Sequence, residues 1–223
     1  MTETYGTESH GTESSGTDGE LLPMFPLGSV LFPSMILPLR VFEPRYQLLM
    51  RRVLDTGGRF GIVLIERGSE VGGGDVRSPV GCVATILQHE EQLDGQWFLV
   101  CVGTSRCNVV EWLDDDPYPV ARVERWDDPP SDASLAAAVA DLFEPFRTVL
   151  ALAAELDEWS VPLTIELSED PVLATYQMAA VSPFGPLDRY RLLGAPTGHD
   201  RATMLSTMFD DSAELLRAQL GSG

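Results

Sequence analysis

This chain contains no lysine: all 15 of its basic residues are arginine, set against 34 aspartates and glutamates, for a formal net charge of −19. A phosphate-binding P-loop needs a lysine to reach the terminal phosphates, and a Ser-Lys dyad needs one to activate its serine. Neither ATPase chemistry of that type nor a Ser-Lys peptidase is expected, and no catalytic residue is assigned. The acidic balance also argues against nucleic acid, because neutralising phosphates supplies most of the sequence-independent affinity. Only residues 21–60 carry a local excess of positive charge, with Arg40, Arg45, Arg51, Arg52 and Arg59 against two acids. A solvated helix surface accounts for it. Cysteine and histidine are scarce, three of each. Cys82, Cys101 and Cys107 form no C-x-x-C pair and are odd in number, so they read as small core residues and not as a disulfide framework or zinc site. His89-Glu90-Glu91 reads as a solvated cluster in a turn before Asp94-Gly95, so no metal is expected. No cofactor is expected either. No apolar run reaches the ~18 residues of a membrane span. Residues 1–20 lack the basic start and apolar centre of a secretory leader, so the protein is expected in the cytoplasm without a membrane partner.

What is present begins with a short acidic repeat, Gly6-Thr7-Glu8-Ser9-His10 and its variants, through residue 20. It has almost no apolar side chain with which to offset chain entropy, so residues 1–20 are expected to form a disordered tail. Residues 22–46 follow, with Pro23, Pro26, Pro33, Pro38 and Pro44 set between apolar runs. Proline removes a donor and clashes with the preceding helical turn, so this stretch is extended, with strands expected over 29–32 and 35–41. At Pro44 the period becomes helical, and a helix is expected up to Gly57-Gly58. Residues 60–65 read as a buried strand and 66–79 as an exposed loop. The glycine triplet within that loop has no following helix or lysine to cradle phosphate. Strands are expected over 80–88, 96–102, 105–113 and 119–126, close enough together for a small barrel. Composition shifts at Asp127-Asp128-Pro129-Pro130. Beyond it, helices are expected from Ser131 or Asp132 to about Asp157, with a kink at Pro145, then from Pro171, from Pro186 to Gly194, and over about 198–220.

The run FPLGSVLFPSMILPLRVFEPRY, at residues 25–46, resembles the opening of the Lon N-terminal domain, the substrate-binding domain of the ATP-dependent protease La. Further points of similarity are Val80-Gly81-Cys82-Val83-Ala84, Asp94-Gly95 and Val102-Gly103-Thr104-Ser105-Arg106. The resemblance extends over nearly the whole chain after residue 20. One position departs from the pattern: Ser34 stands where the family usually has glycine after LFP. The resemblance implies an α+β fold, a PUA-like β pseudo-barrel over residues 21–128 followed by a helical bundle over 129–223. It also implies a non-catalytic module that binds unfolded polypeptides or a specific protein partner, as an adaptor or regulator of proteolysis.

Such a module needs an exposed apolar groove or strand edge. Phe32, Pro33, Met35 and Phe42, with Trp97 and Phe98 on a later strand, are the candidate peptide-binding residues. The alternative for each is burial in the core, the common fate of alternate residues in such strands. Glu43, Pro44, Arg45 and Tyr46 match the family motif, and helix capping and packing explain them without a ligand. Two other classes compete: a small-molecule or RNA-binding PUA-like module, disfavoured for RNA by charge, and an enzyme using acids such as Asp114-Asp115-Asp116 or Glu90-Glu91. Adjacent acids in a loop share one solvated environment and make poor acid–base pairs.

Overall fold

The computed structural model describes residues 19–67, 76–156 and 166–222. Most of the acidic repeat and the glycine triplet lie outside these residues. The elements in chain order are β1 (Glu20–Leu27), β2 (Ile36–Val41), α1 (Pro44–Asp55), β3 (Arg59–Arg67), β4 (Val76–Glu91), β5 (Trp97–Trp112), β6 (Val120–Trp126), α2 (Ala133–Glu155), α3 (Pro171–Val181), α4 (Pro186–Leu193) and α5 (Gly198–Ser222). The strands form one sheet in the order β2-β5-β4-β3-β1-β6, and a further pairing of β6 with β5 closes it on itself. All pairings are antiparallel except β1 with β3. The class is α+β.

Several expected boundaries moved, each for a physical reason. The first strand is β1 and not residues 29–32, even though β1 contains Pro23 and Pro26. Its first half pairs with β6 and its second half with β3, so each half has a free edge where a missing N–H costs nothing. Glu20, expected in the tail, is inside this strand, and its carboxylate holds Arg59 at 3.0 and 3.1 Å. The strands expected over 96–102 and 105–113 are one continuous β5. Gly103 marks a close approach between two segments of the chain and not a turn: a Cβ there would sit 2.3 Å from the Phe32 carbonyl oxygen. His89-Glu90-Glu91 belongs to β4 and not to a turn. Glu66 and Arg67 extend β3 and Val76 to Pro79 open β4, so these residues, expected in the loop, are strand.

The chain reverses at Phe32-Pro33-Ser34-Met35, where Met35 N donates to Phe32 O at 3.2 Å. Ser34 has φ of 64°, a conformation that L-residues enter at a cost of about 1–2 kcal/mol and glycine enters freely. Proline followed by a left-handed residue is the pattern of a type II turn. The family's usual glycine at this position thus has a backbone reason.

Three apolar clusters fill the molecule. α1 lays Tyr46, Leu49, Met50 and Val53 against Phe25, Phe60, Trp97 and Leu99. Leu22, Met24, Val63, Val83, Cys107 and Val123 form a smaller second cluster on the strands. The third lies among the helices around Phe146, Phe184 and Phe209, and Phe32 inserts into it with its ring 5.8 Å from that of Tyr176. The caps are local: Asp132 accepts from Leu135 N at 2.8 Å, and Asp170 accepts from Val172 N at 2.9 Å. Thr197 and Asp200 cap α5 reciprocally, each side chain accepting from the other's backbone N–H at 3.1 Å. α2 continues through Pro145.

Sheet and helices meet around one buried carboxylate. Asp128 Oδ1 accepts from Arg201 at 2.6 and 3.0 Å and faces Arg106 at 3.1 Å. Its other oxygen accepts from the Tyr176 hydroxyl. Arg106 on β5 donates to the carbonyls of Leu193 and Ala195 and lies 4.1 Å above the Trp126 ring. Arg201 on α5 stacks 3.7 Å from the Tyr176 ring. Burial pushes the Tyr176 phenol up and lowers the Arg201 guanidinium. Two fully buried guanidiniums sharing one carboxylate make this cluster the polar fastening between the two halves.

Candidate functional site

Strand alternation decides which candidates reach solvent. On β2, Ile36, Pro38 and Arg40 are exposed while Leu39 and Val41 point inward. On β5, Phe98 is exposed, Val100 half-buried, and Trp97 and Leu99 inward. The register puts Arg40 opposite Phe98 and Pro38 opposite Val100, and on the other side of β5 it puts Glu90 opposite Phe98 and Gln88 opposite Val100. A shallow groove of about 490 Å³ runs across these three strands, lined by Pro38, Arg40, Gln88, Glu90, Phe98 and Val100. Its apolar floor is Phe98, Val100 and the Pro38 ring. Beside it, an irregularity in the β4–β5 register lies between Ile86 and Gln88, and Leu87 there is 55% exposed.

Polar groups stand at the groove's end. The Arg40 guanidinium lies 5.5 Å over the Phe98 ring, and its Nε donates to Gln96 at 2.9 Å. Glu90 accepts from the Gln92 amide at 2.9 Å. No group of three or more His, Cys, Asp or Glu among the described residues could hold a metal. The three thiols are buried, and desolvation holds Cys101 and Cys107 up at about 12, far from a reactive thiolate.

The predicted peptide-binding residues divide. Phe98 and Phe42 reach the surface, at 45% and 54% exposure. Phe42 continues the exposed row of β2 and borders a small cleft between β1 and β2 with Phe25, Leu27 and Tyr46. Phe32, Pro33 and Trp97 are buried and leave the surface set. Phe32 was committed to the helical core by the turn at Ser34, and Trp97 to the α1 core by the parity of β5. Met35 is half-buried and packs against both cores. The family-motif residues make local contacts at the start of α1. Glu43 starts α1 through its backbone carbonyl, which accepts from Tyr46 and Gln47, while its side chain pairs with Arg45 at 3.1 Å. Pro44 takes the first helical position, Arg45 lies 4.4 Å over the Tyr46 ring, and Tyr46 packs 4.5 Å from Phe25. The groove's other residues, Pro38, Arg40, Gln88, Glu90 and Val100, escaped sequence reasoning, because only the cross-strand register brings them together.

The profile of the ATP-dependent protease La (LON) substrate-binding domain matches residues 21–211. The chain belongs to the Lon substrate-binding domain family. It is 26% identical over 210 residues to the Lon protease of Syntrophus aciditrophicus, an alignment covering 91% of this chain and 26% of that protein. Against the Lon protease of Desulfosudis oleivorans it is 35% identical over 105 residues, 44% of this chain and 12% of the relative. A Schizosaccharomyces pombe protein named for a LON peptidase N-terminal domain and a RING finger is 23% identical over 217 residues, 82% of this chain and 44% of the relative. The chain thus spans less than half of the length of each of these relatives. The Lon N-terminal domain protein of Xanthomonas campestris superposes with a TM-score of 0.61 at 26% identity, over 84% of this chain and 98% of that one. The N-terminal domain of the Mycobacterium avium complex Lon protease shares the fold, with a TM-score of 0.59 at 15% identity, over 86% and 99%. No helix among the described residues is long and apolar enough to cross a membrane.

Proposed function

We propose that this Lon-family domain is a non-catalytic polypeptide-binding module acting in the cytoplasm, as an adaptor or regulator of proteolysis. One observation carries the reading: the strand surface of a substrate-binding fold presents an open apolar groove with Phe98 in its floor. A solvent-facing aromatic beside Val100 and a proline ring gives up hydration cheaply when a side chain of an unfolded segment covers it. Fluorescence anisotropy of a labelled, permanently unfolded polypeptide, titrated with the chain at low and high salt, tests the reading. Saturable binding that survives high salt and weakens in Phe98→Ala is expected. Absence of binding into the high-micromolar range overturns it.

A second reading, a small polar ligand, is favoured by another hollow of about 400 Å³ beside the start of β1. Ser105, the Glu20–Arg59 pair and Arg125 converge there above Val83 and Val123. A thermal-shift screen of small polar metabolites, repeated with Ser105→Val, tests it.

A further inference from the structure

How the groove takes its ligand, and which ligands it takes, can be read from the strand ladder, and this step rests on the polypeptide reading above. Among the described residues β2 pairs only with β5 and stands at the end of the sheet order, where an incoming peptide could add as a new strand. Gly103 N donates to Met35 O at 2.9 Å. Antiparallel bonding alternates, so the register makes Leu37–Cys101, Leu39–Leu99 and Val41–Trp97 the hydrogen-bonded pairs. The backbone groups of Ile36, Pro38 and Arg40 therefore point away from β5, toward the free edge. At the middle of those three, Pro38 has no N–H to donate. An added strand would meet a missing donor and a ring at its centre. The side chains of Pro38 and Arg40, in contrast, form one wall of the open groove.

Charge selects among ligands that enter by their side chains. Arg40 is held by neutral partners, Gln96 and the Phe98 ring, so the groove lining carries one cation and one anion and the sign of the selection comes from the charge of the whole chain. Glu90 has as its hydrogen-bond partner among the described residues only the neutral Gln92 amide, so its charge remains uncompensated at the rim. Behind it stands a chain of net charge −19, whose field concentrates cations and repels anions. We infer that the groove captures unfolded segments by side chain and not by backbone, seating a large apolar residue on Pro38, Phe98 and Val100 with a neighbouring lysine or arginine against Glu90. Proline-containing segments, which cannot pair as strands, are ligands on this account, and acidic segments are not.

The test titrates the full chain with three labelled peptides of one apolar pattern: a lysine-containing form, its lysine-to-glutamate counterpart, and the lysine form N-methylated at alternate backbone amides. The lysine peptide should bind at least about tenfold more tightly than the glutamate peptide at low salt, with the gap closing at high salt. Glu90→Gln should narrow the gap, Phe98→Ala should weaken every peptide, and N-methylation should change affinity by less than about twofold. Equal affinities for the two charge forms at low salt overturn the charge preference. A loss of about tenfold or more on N-methylation overturns side-chain capture in favour of strand addition. If none of the three binds, the polypeptide reading itself fails, an outcome separate from either.

Discussion

Replacing Asp128 with asparagine tests the fastening between sheet and helices directly. The carboxylate is 11% exposed, whereas the side chains of Arg106 and Arg201 are fully buried. Asparagine has nearly the same volume, so packing is kept while the charge is removed. The amide retains one acceptor oxygen, but its NH2 can bond the Tyr176 hydroxyl only if that O–H turns away and accepts, and it meets only donors if it faces the guanidinium forks. Two cations are then left in a site that water does not reach, with no carboxylate between them. Breaking a buried pair by removing one partner costs about 3–5 kcal/mol. For a chain of this size each kcal/mol lowers Tm by about 2–4 °C, so a loss of roughly 6–20 °C is expected. Urea unfolding followed by circular dichroism and by tryptophan fluorescence measures it, because Trp126 lies against Arg106. Asp127→Asn is the control one residue away. Its pair with Arg125 has side chains 60% and 71% exposed, and its loss should cost under about 1 kcal/mol. Adding Arg201→Met to Asp128→Asn should recover part of the loss by removing one stranded cation. If Asp128→Asn unfolds within about 1 kcal/mol of the parent chain, the claim that this cluster holds the halves together is wrong.

Other perturbations follow from single contacts. Ser34→Gly relieves the left-handed strain and should stabilise by about 0.5–1 kcal/mol after glycine's greater unfolded-state entropy is counted, read as a higher urea midpoint. Gly103→Ala should destabilise severely, since its Cβ would meet the Phe32 carbonyl, and the variant's melting temperature checks this. Phe98→Ala should weaken peptide binding while leaving the melt nearly unchanged, whereas Phe32→Ala should cost about 3–5 kcal/mol because it empties a core site. The buried thiols make stability fall at high pH. Their folded pKa values lie above the ordinary thiol value of 9.0, so the unfolded chain releases protons first, and stability present below pH 9 is lost between there and about 12. Each thiol contributes a slope of about 1.4 kcal/mol per pH unit in that window, measurable by urea titration at stepped pH. Pro38→Val returns an N–H to the free edge and should raise self-association in sedimentation velocity.

Much of the architecture follows from local chemistry and was legible without coordinates. Proline at the first position of α1, α3 and α4, the Asp132 cap and helical spacing in the second half each act over a few residues, so the order of the helices could be read along the chain, whereas the strands β1 and β5 could not. The absence of lysine argued against P-loop and Ser-Lys chemistry without any coordinates, because those mechanisms need that side chain wherever it falls in space. Tertiary structure decided the rest. Whether Phe98 or Trp97 meets solvent depends on the face of β5 that packs on α1, and moving the register by one residue exchanges the two. Phe32 looked as exposed as Phe42 along the chain, and a turn at Ser34 placed it among helices that begin a hundred residues later. Asp127 and Asp128 are neighbours of one type. One is a solvated partner of Arg125 and the other is the buried anion between two arginines, because only Asp128 lies where β5, α3 and α5 converge. The groove belongs to the same class: β2, far in sequence from β4 and β5, contributes three lining residues, β4 and β5 three each, and the ladder between them decides that they meet.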